Sequence, residues 1–160
     1  MDGDKQLHIG VTGHRWEDEP PLLRGRVRTV LGRLMTLSSA RTGVTVLSPL
    51  AEGADRLVAD EALALGAAID CPLPLSRADY ERDFRTVESV AEFRRLLGLA
   101  CRIEELEGDG STPEGRNAAY AAAGTAIVAQ CDVLLAIWDG EPSRGEGGTA
   151  QVVVEALDAG

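Results

Sequence analysis

Residues 130–155, QCDVLLAIWDGEPSRGEGGTAQVVVE, read as strand, loop and helix. Asp132-Val-Leu-Leu-Ala-Ile-Trp138 is a continuous apolar run with a charged first residue, the pattern of a parallel strand covered on both faces. Asp139-Gly140 ends the run, and Glu141–Gly148 is a polar loop carrying Gly145, Gly147 and Gly148. Thr149-Ala-Gln-Val-Val-Val-Glu-Ala-Leu157 then reads as helical, with Thr149 near its start. Glycines let backbone approach a ligand without a Cβ in the way. The free N–H groups of a helix's first turn, and its dipole, favour an anion at that point. The loop is therefore a candidate cradle for a phosphate or carboxylate. The alternative is a flexible glycine-rich loop with no ligand.

Outward from this unit, the chain repeats its logic. Gln6–Thr12 is a short apolar strand ending in Thr12-Gly-His-Arg15. Pro20-Pro21 stands where a helix can begin. Leu23, Val27, Val30, Leu34 and Leu37 then recur at helical spacing. Gly43–Leu50 is a second strand running into Ala51-Glu-Gly-Ala-Asp55 and a helix closed by Gly66. Ala67–Leu75 is a third strand, in which Pro72 and Pro74 require pairing that is one-sided or already ended. Ser76 or Asp79 caps a helical stretch to about Ala100, broken near Thr86. Cys101–Glu107 reads as a weak edge strand. Gly108–Gly115 reads as a turn-rich loop, and Asn117–Ala129 as a helix of small residues.

Strands alternating with helices imply an α/β protein with a parallel sheet and right-handed crossovers. Gly43–Leu50 is expected beside Gln6–Thr12, with Asp132–Trp138 on the other side of that first strand. Ligands of such sheets bind at the carboxyl ends of the strands, where the winding reverses. Thr12–Arg15, Glu52–Asp55 and Asp139–Thr149 all follow strands, so they are expected to converge.

Composition limits the function. The chain has 160 residues, enough for one full core, and is read as a single domain over 1–160. A formal net charge of −10 argues against nucleic acid as a partner. The three cysteines, Cys71, Cys101 and Cys131, lie far apart without a Cys-x-x-Cys pair, and the two histidines are His8 and His14. This pattern points to reduced thiols, a cytoplasmic setting and no structural metal. No run of transmembrane length and no signal peptide is visible, so no membrane partner is expected.

Three motifs together resemble the SLOG superfamily: Gly10-Val-Thr-Gly-His-Arg15, Glu52-Gly-Ala-Asp55, and Asp132–Gly140 followed by Gly147-Gly-Thr149. That group includes the LOG-type phosphoribohydrolases and the DNA-processing protein A domain. The resemblance implies a three-layer Rossmann-like fold, a mostly parallel sheet of about five strands with helices on both faces. It also implies a nucleotide or nucleotide-derived ligand. The sequence departs from the hydrolases at two places. They carry Pro-Gly-Gly-x-Gly-Thr-x-x-Glu, and here the residue three after Thr149 is Val152. They carry an Arg-Lys pair on the helix before the strand, and the matching residues here are Ala123-Gly124.

The ligand-binding candidates are Thr12, Gly13, His14, Arg15, Glu52, Gly53, Asp55, Asp139, Gly140, Gly145, Gly147, Gly148 and Thr149. Arg15 suits phosphate oxygens, or a plain surface salt bridge. Asp55 suits ribose hydroxyls, or capping of the helix that starts there. Asp139 suits a hydroxyl, or the turn. Trp16 and Trp138 could stack on a base, with Trp138 better placed in the core. Tyr120 could reach the pocket. Two function classes follow: a module that binds or senses a nucleotide-like ligand, with no cofactor required, and a phosphoribohydrolase-like enzyme cleaving an N-glycosidic bond. The second would use a rearranged carboxylate set drawn from Glu52, Asp55, Asp139 and Glu155. Finally, the last helix ends near Asp158-Ala-Gly160, where relatives continue to another strand. Asp132–Trp138 would then keep one open edge, which predicts either a longer protein or a homodimer.

Overall fold

Glycines in the first strand show which helices lie on which face of the sheet. Strand β1 (Leu7–Gly13) buries Leu7, Ile9 and Val11 on one face and turns Gly10 to the other. A Cβ on Gly10 would meet Ile127 Cγ2 at 2.6 Å, and one on Gly13 would meet the Ala54 Cβ at 2.3 Å. Ile127 belongs to helix α5 (Pro113–Gln130) and Ala54 to helix α2 (Ala54–Ala64), so the two helices cover opposite faces. The structure is a computed structural model and describes residues 6–38, 43–142 and 148–160.

Between these lie helix α1 (Leu23–Leu37), strands β2 (Val44–Leu47), β3 (Ala68–Leu73) and β4 (Arg102–Glu105), and helices α3 (Arg77–Tyr80) and α4 (Val87–Leu97). Strand β5 (Val133–Ile137) and helix α6 (Thr149–Ala159) close the described chain. The strands form one five-stranded sheet in the order β4-β3-β2-β1-β5. Every pairing is parallel. β2 therefore flanks β1 on one side and β5 on the other, as the sequence requires. Winding runs outward from β1 to β4 and then returns to the opposite side, so the reversal falls between β1 and β5. Helices lie on both faces, giving three layers of Rossmann-like form.

Proline in β3 obeys its hydrogen-bonding limits. β2 pairs with β3 only from Ala68 to Asp70, and β4 takes the other edge from Asp70 to Leu73. Pro72 is thus paired on one side, and Pro74 lies past the strand's end. Ser76 caps α3 by accepting from the Asp79 N–H, and Thr86 caps α4 by accepting from Ser89.

Four expectations need correction. β5 keeps the open edge expected of it, but it is not covered on both faces: its residues are half-buried, with Ala136 exposed. A continuous apolar run states hydrophobicity, not what will pack over the strand. Trp138 lies beyond the strand, 38% exposed, with its indole N–H donating to Glu141 O at 2.8 Å, rather than in the core. In α1 the buried stripe is Val27 and Leu31, while Val30 and Leu37 face outward, because the helix packs on α2 along a narrow ridge. Helix α5 starts at Pro113, earlier than Asn117. Thr112 accepts from the Gly115 N–H at 3.0 Å, and Pro113 takes the first helical position. The expected loose start Met1–Lys5 and the middle of the 141–148 loop lie outside the described residues.

Candidate functional site

The β1 tip is locked in place from the opposite element. Gly53, at φ +90°, precedes α2, and a Cβ there would lie 2.5 Å from His14 O and 2.7 Å from Arg15 Cα. Only glycine permits both that dihedral and that approach. The Ala54 N–H then donates to His14 O at 3.1 Å. The first turn of α2 therefore holds the Gly13–Arg15 backbone against it. The preceding loop is also pinned. Leu50 adopts φ +59°, and the buried Arg56 guanidinium donates to Leu50 O at 2.9 Å while lying over the Phe84 ring.

A cavity of about 400 Å³ opens at the carboxyl ends of β1 and β5, the point where the winding reverses. From the β1 tip it takes Thr12, Gly13, His14 and Arg15. The loop and start of α2 give Pro49, Ala51 and Asp55. The β5–α6 connection gives Asp139, Glu141, Gly148 and Thr149. The three loops singled out in the sequence thus meet at one place. Glu52, Gly53, Gly140 and Glu155 do not line it. Glu52 accepts from the Arg85 N–H and the Ser89 hydroxyl, which ties it to the start of α4. Gly53 serves the backbone approach just described, and Gly140 makes a turn at φ +85°. Glu155 accepts from Thr125 Oγ1 at 2.9 Å, linking α6 to α5. Gly145 and Gly147 lie outside the described residues. Trp16 packs on the core and does not line the cavity.

The cavity is polar at its mouth and deeper in. His14 Nε2 lies 3.1 Å from Asp139 Oδ1, and that carboxylate also accepts from the Glu141 N–H at 2.9 Å. Asp139 thus makes the turn and positions His14 together. The Arg15 guanidinium sits 5.6 Å from the centroid of Tyr120, over its ring. Among the described residues no carboxylate forms an ion pair with it. Burial opposes its charge, but Tyr80, Tyr120 and Asp55 outweigh that and raise its pKa. Arg116, by contrast, is fully engaged with Asp79 and Asp83.

Deeper in, Asp55 is 6% exposed. Its Oδ2 accepts from the Ala51 N–H at 3.2 Å. Burial raises its pKa to about 7, against the opposing pull of Ala51, Arg15 and Arg56. Tyr80 is wholly buried, edge-on to Phe84 and Phe93, and its hydroxyl has no hydrogen-bond partner among the described residues. Tyr120 donates to Asp83, and burial, reinforced by that bond, lifts its pKa to about 12. Tyr80 was not among the sequence candidates. It follows a helix cap rather than a strand, and nothing local marks it as cavity-lining.

The positions where the resembling hydrolases carry their Glu and Arg-Lys are apolar here. Val152 is buried, and a Cβ on Gly124 would meet its Cγ2 at 2.7 Å, so the two helices touch across this wall. Ala123, Gly124 and Val152 line the cavity together. No group of His, Cys, Asp or Glu suited to a metal ion occurs among the described residues. No helix among them is long and apolar enough to cross a membrane.

Fold and cavity define a Rossmann-like α/β protein, a class compatible with nucleotide binding. No protein-family model matches the chain, and no curated protein matches it. Among solved structures it is similar to the X-ray structure of TM1055, a structural-genomics target. The two share 17% identity and a TM-score of 0.56, over 96% of this chain and 69% of that one. At that identity the likeness concerns the fold alone.

Proposed function

We propose that the chain is a SLOG-type domain that binds or senses a nucleotide or nucleotide-derived small ligand. The ligand's phosphate lies between Arg15 and the start of α6, with Thr12–His14 beside it. One observation carries this reading. In a chain of net charge −10, a cavity at the winding reversal presents an arginine that no carboxylate among the described residues pairs with. Opposite stands a helix start that no side chain caps. The order of the three SLOG-like motifs supports the family.

A second reading, a phosphoribohydrolase-like enzyme, has one observation in its favour: Asp55 titrates near neutrality inside the cavity. Cleavage of an N-glycosidic bond also needs a carboxylate at the sugar and a cation at the phosphate. The apolar wall of Gly124 and Val152 weighs against that set. Binding is therefore the better account. We read residues 1–160 as one domain working in the cytoplasm, with neither nucleic acid nor membrane as partner. The open edge of β5 is where a second copy would pair, giving a homodimer.

A thermal-shift screen with nucleotides, nucleotide sugars and ADP-ribose tests the reading. A ligand at a hundred times its Kd adds about 2.7 kcal/mol of stability. Arg15→Ala should remove that gain. Gly148→Trp should as well, without unfolding the protein, because Gly148 sits at φ −71° and ψ 159°, where any residue is at ease. Stabilisation by no nucleotide, or full retention in both variants, refutes it. Release of free base from a nucleotide, followed by chromatography, would instead establish the hydrolase.

A further inference from the structure

The hydroxyl of Tyr80 is a buried polar group with no hydrogen-bond partner among the described residues. Such groups are rare, because an unmet buried donor loses its water without compensation. Tyr80 lines the cavity together with Asp55 and Arg15, and the charges of both act on its hydroxyl. Asp55 is left half-satisfied in the same place. Its Oδ2 accepts from Ala51, and its Oδ1 has no partner among the described residues. These two residues are the most enclosed polar members of the lining, whereas Asp139 is exposed and Arg15 is less enclosed than either. The cavity therefore has two ends of different chemistry. The mouth offers a cation and a helix start. The inner end offers a carboxyl oxygen and a phenol, both awaiting a partner.

An anion at the inner end would face Asp55. A neutral group with hydroxyls meets both needs: one hydroxyl donates to the carboxylate, and a neighbouring one pairs with the phenol, which can donate or accept. We propose that the inner end is a sugar-diol site, in which Asp55 Oδ1 and Tyr80 Oη hold two adjacent hydroxyls of the ligand. The assignment rests on the nucleotide reading above and specifies which part of the ligand enters first: ribose inward, phosphate outward.

The site is also coupled to protons. A diol donating to Asp55 needs the ionised carboxylate, and burial keeps that group near half-protonated at neutral pH. Binding then expels a proton from Asp55. The charged and titratable groups facing it are Arg15 beyond β1, Arg56 on α2, Cys71 on β3 and Tyr80 on α3. Burial lifts the Cys71 thiol to about 12 and the Tyr80 phenol well above its ordinary value, so neither changes charge near pH 7. His14 stands at the mouth beside Asp139, and the Asp55→Asn variant separates its contribution.

Calorimetric titration with the four ribonucleoside 5′-monophosphates and their 2′,3′-dideoxy counterparts tests the site. The wild type should prefer at least one ribonucleotide over its dideoxy form by about tenfold or more. Its affinity for that ribonucleotide should rise about tenfold from about pH 6 to pH 8. Tyr80→Phe and Asp55→Asn keep ring and shape, so each should still bind the dideoxy form while losing the preference. Asp55→Asn should also lose the pH dependence. Equal binding of both forms overturns the diol site and leaves the nucleotide reading standing, as does a preference that survives in both variants. An affinity that falls with rising pH overturns it too, since the ligand would then be accepting from a protonated Asp55. Binding of no nucleotide overturns the parent reading and this one with it.

Discussion

Asp55 should make the free protein less stable as pH rises from about 4 to about 7. Its carboxyl has an ordinary value of 3.8, and burial raises it to about 7 in the folded state. The folded state therefore holds a proton that the unfolded chain releases across this interval, and stability falls with pH. Below about pH 4 the carboxyl is protonated in both states and contributes no penalty. Above about pH 7 it is ionised in both, and the penalty is complete. An interval of about three pH units at 1.36 kcal/mol each gives about 4 kcal/mol. Asp55→Asn fixes the neutral form and can still accept from the Ala51 N–H. Urea unfolding at several pH values from about 5 to 8 should show the variant gaining on the wild type, by most of that amount. Other carboxylates act at lower pH and with opposite sign. Hydrogen bonding to Arg28 holds Glu61 low, and Arg94 does the same for Glu81, so their contributions are lost as pH falls through the acid range. The difference between variant and wild type removes those terms. Parallel curves across pH 5 to 8 would refute the buried, raised Asp55 and the proton coupling built on it.

Tyr80→Phe should raise the stability of the ligand-free protein by about 1–2 kcal/mol, since it deletes an unmet buried hydroxyl and keeps the ring; a destabilised variant in urea unfolding would mean that the hydroxyl already has a partner. Gly53→Ala should cost about 2 kcal/mol or more, because the Cβ meets His14 O and Arg15 Cα at a left-handed φ; a thermal midpoint close to wild type would contradict the tight β1–α2 contact. Light scattering at rising concentration should report a dimer if the β5 edge self-pairs, and Leu135→Pro at that edge strand should weaken the dimer; a strict monomer would show the edge protected within one chain.

Much of the fold follows from local pattern. The short apolar runs at 6–12, 44–47 and 133–137, each followed by a helical segment, require a parallel sheet. The expected place of β1 between β2 and β5 is borne out. Proline set the pairing limits of β3, since a missing N–H acts wherever the strand ends up. The start of α5 was legible as well, as Thr112-Pro113-Glu114 carries a cap, a first-turn proline and an early acid. The turn-rich composition around it pulled the reading toward loop.

Other features depend on which segments meet, and no local pattern encodes that. How far the faces of β5 and Trp138 are covered is decided by what packs over them, while hydropathy records only what each residue would prefer. Leu31 rather than Val30 is buried because α1 rests on α2 along one ridge. The cavity's inner end joins Asp55 to Tyr80, from separate crossovers, and leaves that phenol without a hydrogen-bond partner among the described residues. Asp55 is ordinary as a sequence letter. Its titration near neutrality comes wholly from enclosure in a medium that solvates charge poorly, a quantity that exists only once the chain has folded.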